Sequence, residues 1–465
     1  MTDLRIISTN GTDTILEEDT VQNFADGLRG RLVQPGEGGY DEARRVWNGM
    51  IDRRPALIAR CAGVADVLAA VRFARTHELL VSARGGGHNI TGNAVCDSGL
   101  MIDLSPMKSV RVDPARRTAR AEAGLTWGEY NRETQAFGLA STGGVVSTTG
   151  IAGLTLGGGL GWLMGKHGLS CDNLLSADLV TADGQFLTVS AEQHPDLFWG
   201  LRGGGGNFGV VTSFEYRVHP VGPVLAGMVL HPMAKAREVL RFYRDFARNC
   251  PDEALAAAAL MTSPEGAPVV AIIVSYIGEI AAGEAVVAPL RKFGSPLLDT
   301  IAPTSYVQLN TLFDAAVPYG GVQRYWKSSF LKELGDDLIE ILIERSAKML
   351  SPMSMVLFFH LHGAAARVDR NATAFGLRDD QWDYDVISQW NDPAESADHI
   401  QWTRQFWTAV EPFATGGVYV NHLDSEEATR IRAAYSQGYE RLVALKNRYD
   451  PTNLFRLNQN IKPTL

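Results

Sequence analysis

Hydrophobic and polar positions predict a β-α-β unit in the first part of the chain. Residues 55–60 and 79–83 have the character of short strands. The apolar residues between them recur at three- and four-residue spacing: Val64, Val67, Leu68, Val71 and Ala74. Such spacing places an apolar face along one side of a helix. The second strand of the unit runs directly into three consecutive glycines, Gly85 to Gly87.

More short elements are expected before residue 190. Strands are predicted at residues 100–104, 109–113 and 117–123. Thr126 and Glu129 form a capping box, in which hydroxyl and carboxylate satisfy free N–H groups at a helix start. We expect that helix to end at Gly138. Residues 177–189 are predicted to form a hairpin around Asp183-Gly184.

The pattern changes after about residue 220, where glycine clusters disappear. Apolar strand runs occur at residues 224–230, 269–276 and 355–361. Helical patterns lie near residues 233–247, 279–293 and 335–350. This alternation predicts an antiparallel sheet with helices on one face, so the fold class is α+β.

We therefore expect two domains, preceded by a leader and followed by a C-terminal segment. The leader, residues 1–38, is polar and is expected to be loosely attached. The first domain is predicted over residues 39–220 and the second over residues 221–414. In the final segment, residues 415–465, a strand is expected at 418–422 and a helix at 425–448.

Composition restricts the class of protein without naming a function. The 465 residues are 45% hydrophobic and 20% charged, with a net charge of −9. That acidic balance argues against binding to nucleic acid or to an anionic membrane. No apolar run is long enough to span a bilayer, and the N-terminus does not resemble a secretion signal. The four widely spaced cysteines suggest reduced thiols in a cytoplasmic protein. The sequence pattern does not indicate the oligomeric state.

Three glycine-rich stretches are the main candidates for ligand binding. They are Gly85 to Gly87, residues 143–168 and the four glycines at 203–206. Consecutive backbone N–H groups in such turns form concave sites for anions, so three of them could hold one elongated anionic ligand. His88 follows the first stretch and could serve as a nucleophile or ligand. The alternative is a tight turn whose histidine only hydrogen-bonds a neighbour.

Other motifs are weaker. Gly204-x-Gly206-x-x-Gly209 matches the dinucleotide fingerprint, but a helix precedes it and a strand follows, which is the reverse of a Rossmann unit. No P-loop or nucleophile elbow is present. No set of side chains has metal-ligand spacing, and His360 and His362 on a predicted strand favour packing or substrate contact over metal binding.

The chain resembles flavin-dependent oxidases of the vanillyl-alcohol oxidase type, with a PCMH-type FAD-binding domain, in the berberine-bridge-enzyme-like branch. It is most similar to bacterial hydroxynicotine oxidases and antibiotic-tailoring oxidases. The resemblance runs from about residue 35 to the C-terminus. The segments on which the resemblance rests are residues 53–61, 84–89, 157–161, 199–211 and 449–461.

The resemblance implies that the first domain binds FAD, that the second domain covers the isoalloxazine ring and that the C-terminal segment returns to the first domain. It implies a covalent bond from His88 to the flavin. Val146 stands where many members have a second linking cysteine, so one bond is expected. The cofactor-binding residues implied are Arg84, Gly85, Gly86, Gly87, Asn89, Gly92, Gly144, Val145, Thr149, Gly150, Gly153, Gly157, Val210, Asn458 and Asn460.

The reaction implied is hydride transfer from a C–H of a small cyclic alcohol, phenol or amine to FAD. Molecular oxygen would then be reduced to hydrogen peroxide. Many members have a tyrosine at the position of His422, which could act as the base or could be a strand residue turned into the sheet. Tyr325 and Asn458 are the other pocket candidates. The alternatives are a flavin dehydrogenase that avoids oxygen and a flavin-binding protein without turnover.

Overall fold

The computed structural model describes residues 3–424 and 430–464. Its strands are β1 Leu4–Ile7, β2 Asp13–Leu16, β3 Arg31–Val33, β4 Leu57–Arg60, β5 Val81–Arg84, β6 Leu100–Asp103, β7 Val110–Asp113, β8 Thr118–Glu122, β9 Leu139–Ala140, β10 Leu174–Val180, β11 Phe186–Ser190, β12 Val210–Arg217, β13 His219–Pro220, β14 Val224–Pro232, β15 Ala254–Thr262, β16 Pro268–Tyr276, β17 Leu298–Asp299, β18 Ala302–Thr304, β19 Gln323–Leu331, β20 Met355–Leu361 and β21 Gln381–Trp390.

The helices follow the same order along the chain. They are α1 Glu18–Asp26, α2 Tyr40–Arg44, α3 Val64–Thr76, α4 Trp127–Gln135, α5 Ile151–Leu156, α6 Met164–His167, α7 Pro195–Leu201, α8 Ala236–Arg248, α9 Ile280–Lys292, α10 Tyr306–Asn310, α11 Asp336–Ser346, α12 Ala364–Arg367, α13 Ser396–Val410, α14 Ile431–Tyr435 and α15 Tyr439–Tyr449. In the described part of the chain, no helix combines the length and the apolar character that a membrane crossing needs.

The predicted β-α-β unit is confirmed as β4, α3 and β5. Both strands run parallel to β6, in a four-stranded sheet of order β3-β4-β6-β5. A second, antiparallel sheet of order β11-β10-β12-β8-β7 contains the predicted hairpin, with Gly184 at positive φ in its turn. The capping box of α4 is present as expected. These two sheets position the glycine loops.

The N-terminal residues are more closely packed than a loosely attached leader would be. Strand β3 pairs with β4, and α1 buries Val21 and Phe24 in the core of the first region. The physical reason is the amphipathic spacing of α1, whose two apolar side chains lie on one face beneath a polar exterior.

The second region is an antiparallel sheet of order β17-β14-β16-β15-β20-β21-β19, with β18 beside β14. Helices α8, α9, α11 and α13 pack on one face of it. The opposite face packs toward the glycine loops. Because both faces are covered, strands such as β15 and β16 are continuous apolar runs and not alternating ones.

Two local expectations differ from the structure, and one stretch without a predicted element contains helices. Residues 143–168 include the short helices α5 and α6, although glycine is a poor helix former. Residues 418–422 are not a strand, since Val420–His422 forms a 3-10 turn. The helix expected over 425–448 is divided at Ser436, which has positive φ; residues 425–429 lie outside the described part.

Candidate active site

The first and second glycine loops touch each other backbone to backbone. A Cβ on Gly86 would lie 2.4 Å from the amide nitrogen of Gly150, and one on Gly150 would lie 2.4 Å from that of Gly86. Neither position can carry a side chain without moving the main chain. The glycines therefore allow two loops from different sheets to meet at the cofactor side of the molecule.

One cavity opens between the two regions of the protein. All three glycine loops line it, together with the C-terminal residues Phe455 to Gln459 and the inner face of the large sheet. The space inside the cavity, including the part that is open to solvent, is about 2030 Å³. The expected cofactor residues on its wall are Gly85, Gly86, Gly87, His88, Asn89, Gly144, Val145, Thr149, Gly150, Gly153, Val210 and Asn458.

The wall has the features of a binding site for a long polar cofactor. A Cβ added at Gly153 or Gly206 would meet no atom within 4 Å, so these backbones face open space. The side-chain oxygen of Asn458 is buried and has no hydrogen-bond partner among the described residues. Buried polar atoms are rarely left unpaired, so this acceptor fits a donor of a bound group. The residues present fit FAD.

His88 faces this cavity from the end of the first glycine loop. Its Nε2 lies 2.8 Å from Thr148 Oγ1, and no other hydrogen bond to the ring occurs within the described residues. Its ring stacks on Trp47 with centroids 5.2 Å apart. Burial, with a smaller contribution from the charge of Arg324, lowers the pKa of His88 to about 3. The ring is therefore neutral near pH 7, with Nδ1 available for bonding.

Four expected cofactor residues lie outside the cavity wall and support it from behind. Arg84 donates to the carbonyl of Ala43, and Gly92 packs against Ile51 at positive φ. Gly157 packs on Asn421, where a Cβ would lie 2.1 Å from its side-chain oxygen. Asn460 is the fourth, and its buried side-chain oxygen has no hydrogen-bond partner among the described residues. The contacts of Arg84, Gly92 and Gly157 act on the shape of the loops.

Tyr325 was expected in the pocket, but the structure turns it the other way. Successive side chains of a strand point to opposite faces. On β19, Trp326 points into the cavity, so Tyr325 points toward the helical layer, where Arg404 donates to its hydroxyl at 3.2 Å. A sequence pattern without a sheet register cannot decide between these two faces.

His422 lies in the cavity, beside two carboxyls that the sequence analysis missed. Asp383 and Asp385 occupy alternate positions of β21 and share its cavity face. His422 Nδ1 lies 2.9 Å from Asp385 Oδ1 and 3.6 Å from Asp383 Oδ2, in the geometry of an ion pair and not of an aligned hydrogen bond. Trp326 Nε1 donates to Asp385 Oδ1 at 2.7 Å.

The members of this cluster perturb one another strongly. Burial, reinforced by the neighbouring Asp385, raises the pKa of Asp383 well above the usual carboxyl range. Burial alone would lower the pKa of His422, but the two carboxyls outweigh it and raise that pKa. Because Asp383 and His422 interact closely, the protonation of one depends on that of the other.

No metal-ligand spacing is visible in the sequence, yet the fold brings donor atoms of Asp383, Asp385 and His422 within 4.8 Å of one another. The raised pKa of His422 shows that the neighbouring carboxyls favour the charged form of its ring. The signal that sequence reasoning could have used is Asp-x-Asp in the otherwise apolar and aromatic run of β21. Two carboxyls two residues apart on a buried strand face the same side.

Much of the remaining wall is apolar. It includes Phe313, Val317, Met355, Leu357, Phe359 and Ile387. The histidines of β20 are not part of it. His360 stacks on Trp382 at 4.2 Å, and its Nε2 lies 2.7 Å from Asp380. The cavity thus presents a polar cluster at one point of an otherwise hydrophobic chamber.

The cavity fits an elongated anionic cofactor on its glycine-lined side and carries titratable groups on its wall. Comparison with known proteins identifies the class as an FAD-linked oxidoreductase. A family model described as "FAD binding domain" matches residues 55–190, and one described as "Berberine and berberine like" matches residues 418–462.

Full-length relatives extend the match. An FAD-linked oxidoreductase of Dictyostelium discoideum is 33% identical, covering 95% of this chain and 97% of its own. The (R)-6-hydroxynicotine oxidase of Paenarthrobacter nicotinovorans is 30% identical, covering 94% and 97%. A crystal structure of 6-hydroxy-D-nicotine oxidase from Arthrobacter nicotinovorans superposes with a TM-score of 0.85 at 30% identity, covering 94% of this chain and 98% of its own. The chain belongs to the berberine-bridge-enzyme-like family of FAD-linked oxidoreductases.

Proposed function

We propose that this enzyme is an oxidase that removes a hydride from a carbon bearing an O–H or N–H group in a small, largely apolar ring compound. The single observation that carries the proposal is that His88 and the cluster of Asp383, Asp385 and His422 open into one cavity. FAD, when bound, supplies the hydride acceptor and passes the electrons to molecular oxygen, which leaves as hydrogen peroxide.

The chain's own residues have separable tasks in this proposal. The glycine loops and Asn458 hold the cofactor, and His88 carries one covalent bond through Nδ1. A second bond is not expected, since Val146 lies at the wall and no cysteine is among the described residues that line the cavity. Cys171 is fully buried beside Asp172.

The cluster accepts the proton that the substrate's O–H or N–H loses. Asp383 Oδ2 and Asp385 Oδ2 are buried acceptors without a donor among the described residues, so a substrate donor would satisfy them. An acceptor left unpaired costs about 1–3 kcal/mol, and a hydrogen-bonded substrate removes that cost. The apolar wall excludes water and favours a hydrophobic ring over a polyhydroxylated sugar.

Anaerobic mixing with candidate ring alcohols, phenols, cyclic amines and sugars tests the reaction, with loss of the oxidised flavin absorbance as readout. We expect bleaching by an apolar ring compound and peroxide release when air is admitted. Bleaching without peroxide would identify a dehydrogenase. Flavin that no candidate substrate bleaches would instead favour a binding protein without turnover.

The covalent bond is tested separately. Protein precipitated in acid should retain its yellow colour, and His88→Ala should release its flavin under the same treatment. Thr148→Val is the matched control, because it removes the ring's hydrogen-bond partner and leaves the imidazole in place. Flavin that washes out of the precipitated natural protein would contradict the tether.

A further inference from the structure

Arg324 is a buried guanidinium beneath the His88 loop. It is 2% exposed and lies on the cavity face of β19, two residues from Trp326. Its donors bond to the carbonyls of Trp47 at 2.6 Å and Pro318 at 2.5 Å, and to Gln389 Oε1 at 2.9 Å. Within the described residues no carboxylate lies in ion-pair distance of it.

That arrangement is unusual for a buried arginine. Charges in the interior are normally paired with an opposite charge, because removing them from water is costly. Arg378, the other deeply buried arginine, follows the rule, with two nitrogens each 2.7 Å from an Asp172 oxygen. Burial lowers the pKa of Arg324 to about 10, so it still carries its charge at neutral pH.

The charge of Arg324 lies close to His88, the residue expected to bond the flavin covalently. The guanidinium carbon lies 4.0 Å from the centroid of the Trp47 ring, and the same ring stacks on His88 with centroids 5.2 Å apart and an interplanar angle of 20°. Trp47 is fixed in turn, since its Nε1 donates to the carbonyl of Val317 at 3.2 Å. Trp47 therefore contacts both the Arg324 cation and the His88 imidazole, and the three residues form one contact stack centred on the indole.

We propose that Arg324 is a positioning residue that tunes the cofactor's reduction potential through Trp47. It holds the indole flat against His88, and its uncompensated charge favours the more electron-rich state of a ring system attached there. The proposal rests on the proposed function, namely FAD bonded at His88. A positive charge acts strongly here because the surroundings are poorly solvated.

Two substitutions separate the charge from the packing. Arg324→Lys and Arg324→Gln both lose the forked hydrogen bonds, but only the lysine keeps the charge. The holoprotein of each is titrated with a reductant against a reference dye to obtain the flavin midpoint potential. We expect the Gln variant to shift to a more negative potential and the Lys variant to remain near the natural value.

Arg378→Gln is the matched control, because it removes a buried arginine that does not contact the stack. It should lower the unfolding temperature and leave the potential unchanged. Equal shifts in the Lys and Gln variants of Arg324, or no shift in either, would overturn the proposal and leave a structural role. A natural protein without any flavin would contradict the proposed function itself, which distinguishes that failure from a failure of the role of Arg324.

Trp47→Leu tests the same stack without altering the charge. The imidazole loses its flat neighbour, so we expect a smaller fraction of acid-stable flavin than in the natural protein. The fraction is read from flavin absorbance in the precipitate against total flavin. An unchanged fraction together with an unchanged midpoint potential would show that the stack does not act on the tether.

Discussion

At the scale of single residues, the site depends on groups whose protonation differs from that of the same side chains in water. Burial keeps the His88 ring neutral, whereas burial and the neighbouring Asp385 raise the pKa of Asp383 to about 8. These opposite effects suit opposite tasks: a neutral ring can carry a covalent bond, and a cluster poised near neutrality can take up a proton.

Asp383→Asn should remove the proton acceptor while preserving the shape of the side chain. Because the pKa of Asp383 is raised, the cluster is protonated at low pH and becomes an acceptor as the pH rises. We expect kcat/KM of the natural enzyme to increase with pH across the neutral range. The variant should not show that increase with pH. Its kcat should be about 10²–10⁴-fold lower, which is the usual contribution of a positioned base.

Asp380→Asn is the control for this measurement, since Asp380 is exposed and bonds His360 outside the cavity. Steady-state rates from pH 5 to 9 would decide. A pH profile of Asp383→Asn that parallels the natural one would assign the proton acceptor to another group.

Lys446→Met should be strongly destabilising. Lys446 and Asp450 are both fully buried at 2.7 Å, and the ammonium also donates to the carbonyls of Asn207 and Phe455. Removing it leaves Asp450 as an unpaired buried charge, which costs about 3–5 kcal/mol. Lys348 is also four residues from its partner, Glu344, but this pair is exposed. Lys348→Met should therefore lower the free energy of unfolding by only about 0–1 kcal/mol. Urea unfolding of both variants gives the comparison.

At the scale of elements, the glycine loops combine two separate requirements. Gly86 and Gly150 permit main chains to touch, whereas Gly153 and Gly206 keep space open for the cofactor. The same residue type thus serves packing at one position and ligand access at another, and only the three-dimensional surroundings distinguish them.

Gly86→Ala and Gly153→Ala should therefore fail in different ways. The first forces a Cβ into the backbone of Gly150 and should cost about 1–3 kcal/mol of stability. The second adds a methyl to α5 facing the cavity, where it improves helix propensity by about 1 kcal/mol and obstructs the flavin. Thermal unfolding and flavin content per chain are the two measurements; stable Gly153→Ala protein with full flavin would refute the assignment.

At the scale of the whole molecule, the cavity is assembled from three parts of the chain. The first region contributes the cradle, the large sheet contributes the cluster-bearing wall, and residues 455–459 close the far side. Asn207 joins two of these parts. Its fully buried side chain accepts from the Ile461 N–H at 3.0 Å and donates to the Gly204 carbonyl at 2.8 Å.

Asn207→Ala should release the C-terminal segment from the glycine loop. The Ile461 N–H would be left unpaired in a buried position, at a cost of about 1–3 kcal/mol. We expect faster proteolytic cleavage beyond residue 450 and weaker flavin retention. Asn447→Ala, which removes exposed hydrogen bonds to Thr464 in the same segment, is the control. Equal cleavage rates in the two variants would contradict the role of Asn207.

Short stretches of sequence determine several elements of the fold. The capped helix α4 and the β-α-β unit depend on neighbouring residues, so local pattern was sufficient to predict them. At the glycine loops the pattern left an ordinary turn open, and the role expected of His88 came from the family resemblance. The packing of the N-terminal residues was missed, because two apolar side chains on one short helix are a weak signal without the surface they cover.

Tertiary structure alone decided the chemistry opposite His88. Asp383 and Asp385 lie some forty residues before His422 in the chain, and a strand register and a 3-10 turn bring them together. The same register turned Tyr325 away from the cavity and placed Arg324 beneath Trp47. A pattern of residue types specifies which element forms; which face of a strand meets which loop depends on contacts between distant segments, and these exist only once the chain has folded.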